Sequence, residues 1–175
     1  MKLGISIISL ILGMSLLVHA PIAKSDAMPE FRLKAAFLYN FIAYTEWPDP
    51  TEATINLCVY GENSFGNEID ALNGRSVNSR PITVLHKNQN EDLQDCQVLF
   101  ISNSVIDHLA FILDNLDAKP VLTIADSRDA ASQGVTLNMR IENNKIVFEA
   151  NIQAARHAGL TLSAKLLRLA TKVYQ

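Results

Sequence analysis

Val98-Leu99-Phe100-Ile101 (VLFI) decides the fold, because four consecutive large apolar residues are typical of a strand that is buried on both faces. Three more short apolar runs occur along the chain: Ile55–Tyr60, Ile82–Leu85 and Val121–Ile124. Segments with helical patterns lie between these runs, which favours an α/β protein. The sequence therefore predicts a single-domain mixed sheet of about five or six strands, flanked by helices on both faces.

Helical patterns and one hairpin complete the predicted organisation. A helix is expected from Pro29 to about Tyr44, where proline starts the pattern and no breaker follows until Trp47-Pro48. The other helical predictions are Phe65–Leu72, Val105–Leu116, a capped turn over Asp126–Gln133 that ends at Gly134, and a long amphipathic helix over Gly159–Val173. Asn143 and Asn144 tolerate the left-handed backbone of tight turns, so they predict a hairpin between strands Val135–Ile141 and Lys145–Glu149.

Residues 1–27 predict an export signal. Lys2 supplies the positive start, and the uncharged run Leu3–Val18 is short for a membrane span. Ser25-Asp26-Ala27 places small residues at positions −3 and −1, which favours cleavage after Ala27. The expected product is a periplasmic protein of residues 28–175. An uncleaved N-terminal anchor is the alternative.

The size and charge of the exported part restrict its function. Cleavage after Ala27 leaves 148 residues, enough for one compact domain. The formal charge of the whole chain is −3, and it becomes −4 because two lysines and one aspartate leave with the signal. A mildly acidic domain of this kind argues against a nucleic-acid-binding surface, which usually needs a basic excess.

Cys58 and Cys96 are the only cysteines of the chain. An even pair in an oxidising compartment favours a disulfide, whereas two buried thiols are the alternative because Cys58 lies inside an apolar run. A redox-active pair is disfavoured, since no Cys-x-x-Cys spacing is present to lower a thiol pKa.

The sequence contains no recognisable catalytic or metal-binding motif. His86, His108 and His157 are far apart and lack the spacing of a metal site. The chain also has no Gly-x-Ser-x-Gly, Ser-x-x-Lys or His-Glu-x-x-His motif. We therefore expect a protein that is not an enzyme and that uses no cofactor or metal.

Two features allow binding functions. The turn Gly61–Gly66 lies between a strand and a helix, where α/β proteins often bind ligands, with Arg75 and Arg80 just beyond it; a turn capped by Asn63 or Ser64 is the structural alternative. Lys165, Arg168 and Lys172 recur at helical spacing and predict a basic stripe. Such a stripe is either solvated or contacts an acidic partner or membrane headgroups.

Five segments, in order along the chain, resemble the YfiR-like family of small periplasmic regulators. They are Lys34–Pro48 (KAAFLYNFIAYTEWP), Leu57–Gly61 (LCVYG), Leu72-Asn73-Gly74-Arg75, Cys96–Ser102 (CQVLFIS) and Phe148–Leu169 (FEANIQAARHAGLTLSAKLLRL). The resemblance implies a repressor that engages the periplasmic sensor region of an inner-membrane diguanylate cyclase and lowers cyclic di-GMP and biofilm output. It also implies a homodimer and, in some systems, an outer-membrane lipoprotein with a peptidoglycan-binding domain as a second partner. The alternative function is a periplasmic module that binds or senses a small ligand.

The same resemblance assigns roles to individual residues. Cys58 and Cys96 match the positions of a family disulfide that joins the early strand to the central strand. A second cysteine pair found in some members is absent here. For the partner-binding surface, the matching positions are Glu149, Ile152 and Ala155. Ile152 is expected either to form a small exposed hot spot or to pack beneath the C-terminal helix.

Overall fold

The computed structural model of the protein describes residues 27–48, 53–88, 91–117 and 119–175. The predicted export signal lies outside the described residues apart from Ala27, so it and its cleavage stay predictions. The described helices are α1 (Ala27–Ala43), α2 (Leu109–Asn115), α3 (Ile152–His157) and α4 (Ala164–Leu167). The strands are β1 (Thr45–Glu46), β2 (Ile55–Tyr60), β3 (Ser76–Val77), β4 (Arg80–Lys87), β5 (Val98–Ile101), β6 (Leu122–Ala125), β7 (Leu137–Glu142), β8 (Lys145–Asn151), β9 (Thr161–Leu162) and β10 (Lys172–Tyr174). Short 3-10 segments cover Gly66–Glu68, Asp70–Leu72, Asn103–His108 and Ala130–Gln133.

Eight strands form the main sheet in the order β10-β8-β7-β6-β5-β2-β4-β3. The central strands β4, β2, β5, β6 and β7 pair in parallel, while β8 runs antiparallel to β7 and β10 pairs in parallel with β8. β1 and β9 form a separate antiparallel pair. The predicted mixed α/β sheet is confirmed, but it has more strands than the five or six expected.

The extra strands are too short to leave a sequence pattern. β1, β3 and β9 have two residues each and β10 has three. A strand is recognised from alternation over several residues, and two or three residues do not establish a period.

Alternation along β2 creates two apolar cores on opposite faces of the sheet. Leu57 and Val59 pack in the core that α1 covers, whereas Cys58 and Tyr60 pack in the core that α2 covers. Successive side chains of a strand point to opposite faces, so an uninterrupted apolar run supplies both cores. Within the described residues, no helix combines the length and the apolar character needed to cross a bilayer.

The predicted hairpin is confirmed. Asn143 and Asn144 have φ values of 49° and 59° and connect β7 to β8, with Glu142 opposite Lys145. The predicted turn before β7 is also present. It ends at Gly134, whose φ of 108° favours glycine.

The long C-terminal helix predicted over Gly159–Val173 is wrong. α3 ends before Gly159, whose φ is 69°, and the chain then forms β9, the short helix α4 and the edge strand β10. Ser163 starts α4 by accepting a hydrogen bond from the Leu166 amide at 3.2 Å. A left-handed glycine and a new N-cap four residues later divide the segment, although its leucine spacing fits one helix.

This correction also removes the predicted helical stripe of basic residues. Lys165 belongs to α4, Arg168 follows that helix, and Lys172 begins β10. All three side chains are exposed, but they lie on different elements.

Two other predicted helices are shorter than expected. Phe65–Leu72 forms two 3-10 turns, and Val105–Leu116 divides into a 3-10 turn followed by α2. Ser102 caps the second segment by accepting a hydrogen bond from the Ser104 amide, which starts a tight turn before the predicted helix begins.

Candidate functional site

The predicted partner-binding residues lie where β8 passes into α3. Asn151 holds this corner together, because its Oδ1 accepts from the Ala154 amide at 2.8 Å and its Nδ2 donates to the Ala131 carbonyl at 2.8 Å. The Asn151 amide also donates to the Thr136 carbonyl. Residues Glu149, Asn151, Ile152 and Ala155 are called the β8–α3 corner below.

Glu149 is buried and ion-paired in this corner. Its Oε1 lies 3.5 Å from the Arg140 Nε, and its backbone is in register with Lys172 of the edge strand β10. A buried carboxylate keeps its charge at low cost only beside a cation, so Arg140 fixes the Glu149 side chain. Glu149 therefore orders the corner from within.

Ile152 and Ala155 differ in exposure. Ala155 is buried in the core beneath α1, and its carbonyl accepts from the Leu160 amide at 2.8 Å. Ile152 is the first residue of α3 and is half-buried. Of the three predicted contact residues, Ile152 has the most surface available to a partner, and the role of all three stays a prediction.

The crevice between the carboxyl ends of β2 and β5, where the strand order reverses, is filled by the protein itself. The Ser104 Oγ accepts from the Glu62 amide at 2.9 Å, and a Cβ on Gly61 would lie 2.7 Å from that same oxygen. Asn63 closes the turn by accepting from the Phe65 amide and donating to the Gly66 carbonyl, both at 3.0 Å. The Gly61–Gly66 turn is thus a capped connection, as the structural alternative predicted.

A different cavity lies beside β1 and β4. It has a volume of about 350 Å³ and is lined by Thr45, Glu46, Trp47, Ile55, Val77, Asn78 and Arg80. The Trp47 Nε1 and the Arg80 Nε are buried donors that have no hydrogen-bond acceptor among the described residues. The Arg80 Nη2 is held by the Thr54 carbonyl at 3.0 Å, while Arg75 stacks on the Tyr39 ring. The two arginines therefore do not form one anion-binding edge.

The histidines remain separate from one another. His86 bonds Asp70 at 3.0 Å, and His157 bonds Asp117 at 2.7 Å. His108 ends a 3-10 turn. Among the described residues, one group has three potential metal ligands, Cys58, Asp95 and Cys96, and both of its sulfur atoms belong to the Cys58–Cys96 disulfide.

Lys34 forms a buried ionic cluster between α1 and the loop after β6. Its Nζ lies 2.8 Å from Asp126 and 2.8 Å from Glu30, and 5.2 Å from the centre of the Phe31 ring. Burial opposes the charge, but the hydrogen bonds that Lys34 donates to Asp126 and Glu30, together with the attraction of their charges, outweigh burial and raise the pKa of Lys34 above its ordinary value of 10.5. Lys34 therefore fixes the first helix to the carboxyl edge of the sheet as a cation.

The family model described as YfiR/HmsC-like matches residues 31–171, which include every strand of the main sheet except β10, and the β8–α3 corner. The chain belongs to the YfiR/HmsC-like family. Membership supports a periplasmic regulator at the level of the family, and the YfiR/HmsC-like proteins are in general regulatory rather than catalytic.

Two solved structures share the fold of this YfiR/HmsC-like chain. The ABC domain in complex with L-Trp from Streptococcus pneumonia has a TM-score of 0.51 at 10% identity, and the match covers 70% of this chain. A conserved domain protein from Vibrio cholerae O1 biovar El Tor has a TM-score of 0.51 at 12% identity over 82% of this chain. This chain spans 56% and 60% of the lengths of those two proteins. At such low identity, both matches show the fold alone.

Several residues of these sites were missed by the sequence analysis. Arg140 could have been found from the hairpin register, since a turn at Asn143-Asn144 brings it across from Val147 and close to Glu149. The contact of Lys34 with Asp126 and the shared cavity of Trp47 and Arg80 join distant parts of the chain. No local pattern marks such pairs.

Proposed function

We propose that the protein is an exported periplasmic repressor that binds the periplasmic sensor region of an inner-membrane diguanylate cyclase and lowers cyclic di-GMP. The observation that carries this proposal is the YfiR/HmsC-like match over residues 31–171. The Cys58–Cys96 disulfide supports it, because such bonds persist in oxidising compartments. The proposal includes removal of residues 1–27, a homodimer, and an outer-membrane lipoprotein that sequesters the repressor.

Repression of this kind needs only a preference for one state of the cyclase. A repressor that binds the inactive sensor state more tightly than the active state shifts the population toward the inactive state. A difference of about 3 kcal/mol between the two affinities changes the ratio of states by roughly a hundredfold. A few well-packed contacts can supply such a difference.

The proposed contact is Ile152 at the β8–α3 corner. Its half-buried side chain begins α3, and the Asn151 cap and the Arg140–Glu149 pair hold the backbone beneath it. A rigid apolar side chain on an ordered backbone loses little entropy when it binds.

Ile152→Ser is expected to abolish repression while leaving the fold intact. Cellular cyclic di-GMP should rise to the level of a deletion strain, because a hydroxyl replaces the apolar contact. The matched control is Ile106→Ser, which truncates another half-buried isoleucine outside the corner. The control should lower the thermal midpoint at least as much as Ile152→Ser does, and it should still repress. Repression by Ile152→Ser at wild-type strength would show that Ile152 does not contribute to the interface.

A second candidate function is small-ligand binding in the cavity between Trp47 and Arg80. Two buried donors that find no acceptor among the described residues line this cavity, and each such group costs about 1–3 kcal/mol. A carboxylate offers the acceptor oxygens that such donors need. The Streptococcus pneumonia protein of the same fold was solved with L-Trp, an amino acid that has such a group.

Thermal unfolding with a set of amino acids, including L-Trp, tests this second function. A ligand at one hundred times its Kd should stabilise the wild type by about 2.7 kcal/mol. Trp47→Phe keeps an aromatic ring but removes the indole donor, so it should lose most of this stabilisation. Equal stabilisation of the two proteins would exclude the indole donor from the ligand site.

A further inference from the structure

Phe111 is the most exposed large apolar side chain among the described residues, at 68%. It lies on α2 and lines a groove of about 340 Å³ between that helix and residues 91–94, which belong to the loop before β5. The buried side chains of Tyr60 and Ile112 also line the groove, and both belong to the core that α2 covers. An exposed aromatic ring beside a concave surface is typical of a site that a partner covers. We call this groove and its rim the α2 groove.

Carboxylates dominate the rim of the α2 groove. Glu91 and Asp92 line it and are exposed, and the exposed Asp114 lies one helical turn after Phe111. In the part of the chain that the structure describes, none of these three carboxylates pairs with a cation. Lys119 is the only cation among the described residues that line the groove. The rim therefore has a net negative charge.

The segment that supplies most of the groove is acidic as a whole. Residues 91–129 contain eight acidic and two basic residues, whereas the formal charge of the entire chain is only −3. Charges attract or repel one another over about 8 Å at physiological salt, so this segment favours a cationic partner and disfavours an anionic one.

The loop at the rim is held in place by bonds within the protein. The Cys58–Cys96 disulfide joins the end of this loop to β2, and the Cys96 amide donates to the Leu93 carbonyl at 3.2 Å. The Asp92 Oδ1 accepts from the Gln94 amide at 2.9 Å, which orients that carboxylate. An ordered rim loses little entropy when a partner binds, so a short segment of a partner is sufficient to occupy it.

We propose that the α2 groove binds a basic segment of a partner protein, in which an arginine is next to a large apolar residue. An arginine suits this rim because its planar guanidinium stacks on an aromatic ring and pairs with carboxylates. The neighbouring apolar residue packs against Tyr60 and Ile112. Nucleic acid and anionic lipid are repelled by the rim, and a two-fold contact with a second copy brings carboxylates against carboxylates. The α2 groove shares no residue with the β8–α3 corner, so binding there goes beyond the proposed repression and does not depend on it.

Fluorescence anisotropy of a labelled peptide tests the α2 groove in the exported protein with its disulfide intact. The probe is the peptide Arg-Leu-Arg-Leu-Arg. Its two comparison peptides are Arg-Ser-Arg-Ser-Arg, which lacks the apolar residues, and Glu-Leu-Glu-Leu-Glu, which reverses the charge. The probe should bind saturably below about 1 mM, and each comparison peptide should bind at least about tenfold more weakly. Raised salt should weaken binding of the probe.

Two substitutions at the groove should weaken binding of the probe. Phe111→Ser should weaken it about tenfold, because it removes the stacking surface. Asp114→Lys should weaken it about fivefold, because it replaces an attraction by a repulsion. Two matched controls lie outside the groove: Leu169→Ser removes a similarly exposed apolar side chain, at 65%, and Glu142→Lys reverses an exposed carboxylate. Neither control should change binding by more than about twofold.

Several results would overturn the proposal. They are no binding of the probe, equal binding of the charge-reversed peptide, and unchanged binding by Phe111→Ser. A Phe111→Ser variant that is a monomer where the wild type is a dimer would instead assign the groove to a second copy. Full displacement of the probe by free arginine at the same concentration would assign it to a small cation.

Discussion

Replacing both Cys58 and Cys96 with alanine is expected to lower the free energy of unfolding by about 4 kcal/mol. The disulfide joins residues that are 38 apart in sequence, and a loop of this length restricts the unfolded chain by about that amount in the chain-entropy account. It links Cys58 of β2 to Cys96, which lies two residues before β5. Both cysteines are buried in the core beneath α2. Small domains have a total stability of about 5–15 kcal/mol, so this loss is a large part of the whole.

Denaturant unfolding of the oxidised wild type and the alanine variant measures this difference. Wild-type protein unfolded in a reducing agent is the control, because it loses the bond while keeping the cysteine side chains. Both the reduced wild type and the variant should unfold at a similarly lowered denaturant midpoint. A variant that unfolds at the same midpoint as the oxidised wild type would show that the disulfide does not constrain the chain.

Lys34→Ala is expected to lower the free energy of unfolding by about 3–5 kcal/mol. The change removes the cation from Asp126, whose side chain is 12% exposed, and leaves a buried carboxylate without its partner. It also detaches α1 from the loop after β6, since the Lys34–Asp126 contact of 2.8 Å joins residues 92 apart in sequence. Glu30 is less affected, because its side chain is 32% exposed and remains hydrated.

A paired replacement distinguishes the lost charge from lost packing. Lys34→Met combined with Asp126→Leu removes both buried charges and keeps apolar volume, so it should recover most of the stability lost in Lys34→Ala. If the paired variant is as unstable as Lys34→Ala, the unpaired carboxylate is not the cause of the loss.

The pH dependence of the Lys34 contribution follows from the raised pKa. A lysine whose folded pKa lies above its ordinary value stabilises the protein fully below pH 10.5, and this stabilisation is lost as the pH rises through the folded pKa. The difference in stability between the wild type and the Lys34 variant should therefore be constant from about pH 7 to 9 and decrease only above about pH 10.5.

Strong local patterns made the central part of the fold predictable. β5 is an uninterrupted apolar run and β2 is apolar apart from Asn56; both lie between two cores, and such runs are recognised without knowledge of their neighbours. The hairpin at Asn143-Asn144 was predictable because few residues adopt the backbone that this turn requires. Both predictions depended on short segments only.

The C-terminal segment could not be predicted from local patterns. Its leucines fit a helix, but β10 forms because the edge of β8 offers unpaired backbone groups to Lys172–Tyr174. Pairing with a strand more than twenty residues away overrides helical propensity, and the local sequence does not record that partner.

The candidate sites were likewise predictable only in part. The resemblance to the family indicated Glu149, Ile152 and Ala155, but only the structure shows that Ile152 retains accessible surface while the other two are buried. Burial depends on what packs over a residue, and at the β8–α3 corner this includes distant partners such as Arg140.

Cross-linking in intact cells, with a tagged form of the exported protein and mass spectrometry of everything recovered, tests the proposed repression most directly. We expect recovery of an inner-membrane protein that carries a cytoplasmic diguanylate cyclase domain, with cross-links near the β8–α3 corner. Recovery of the protein itself and soluble periplasmic proteins alone would contradict repression by direct contact.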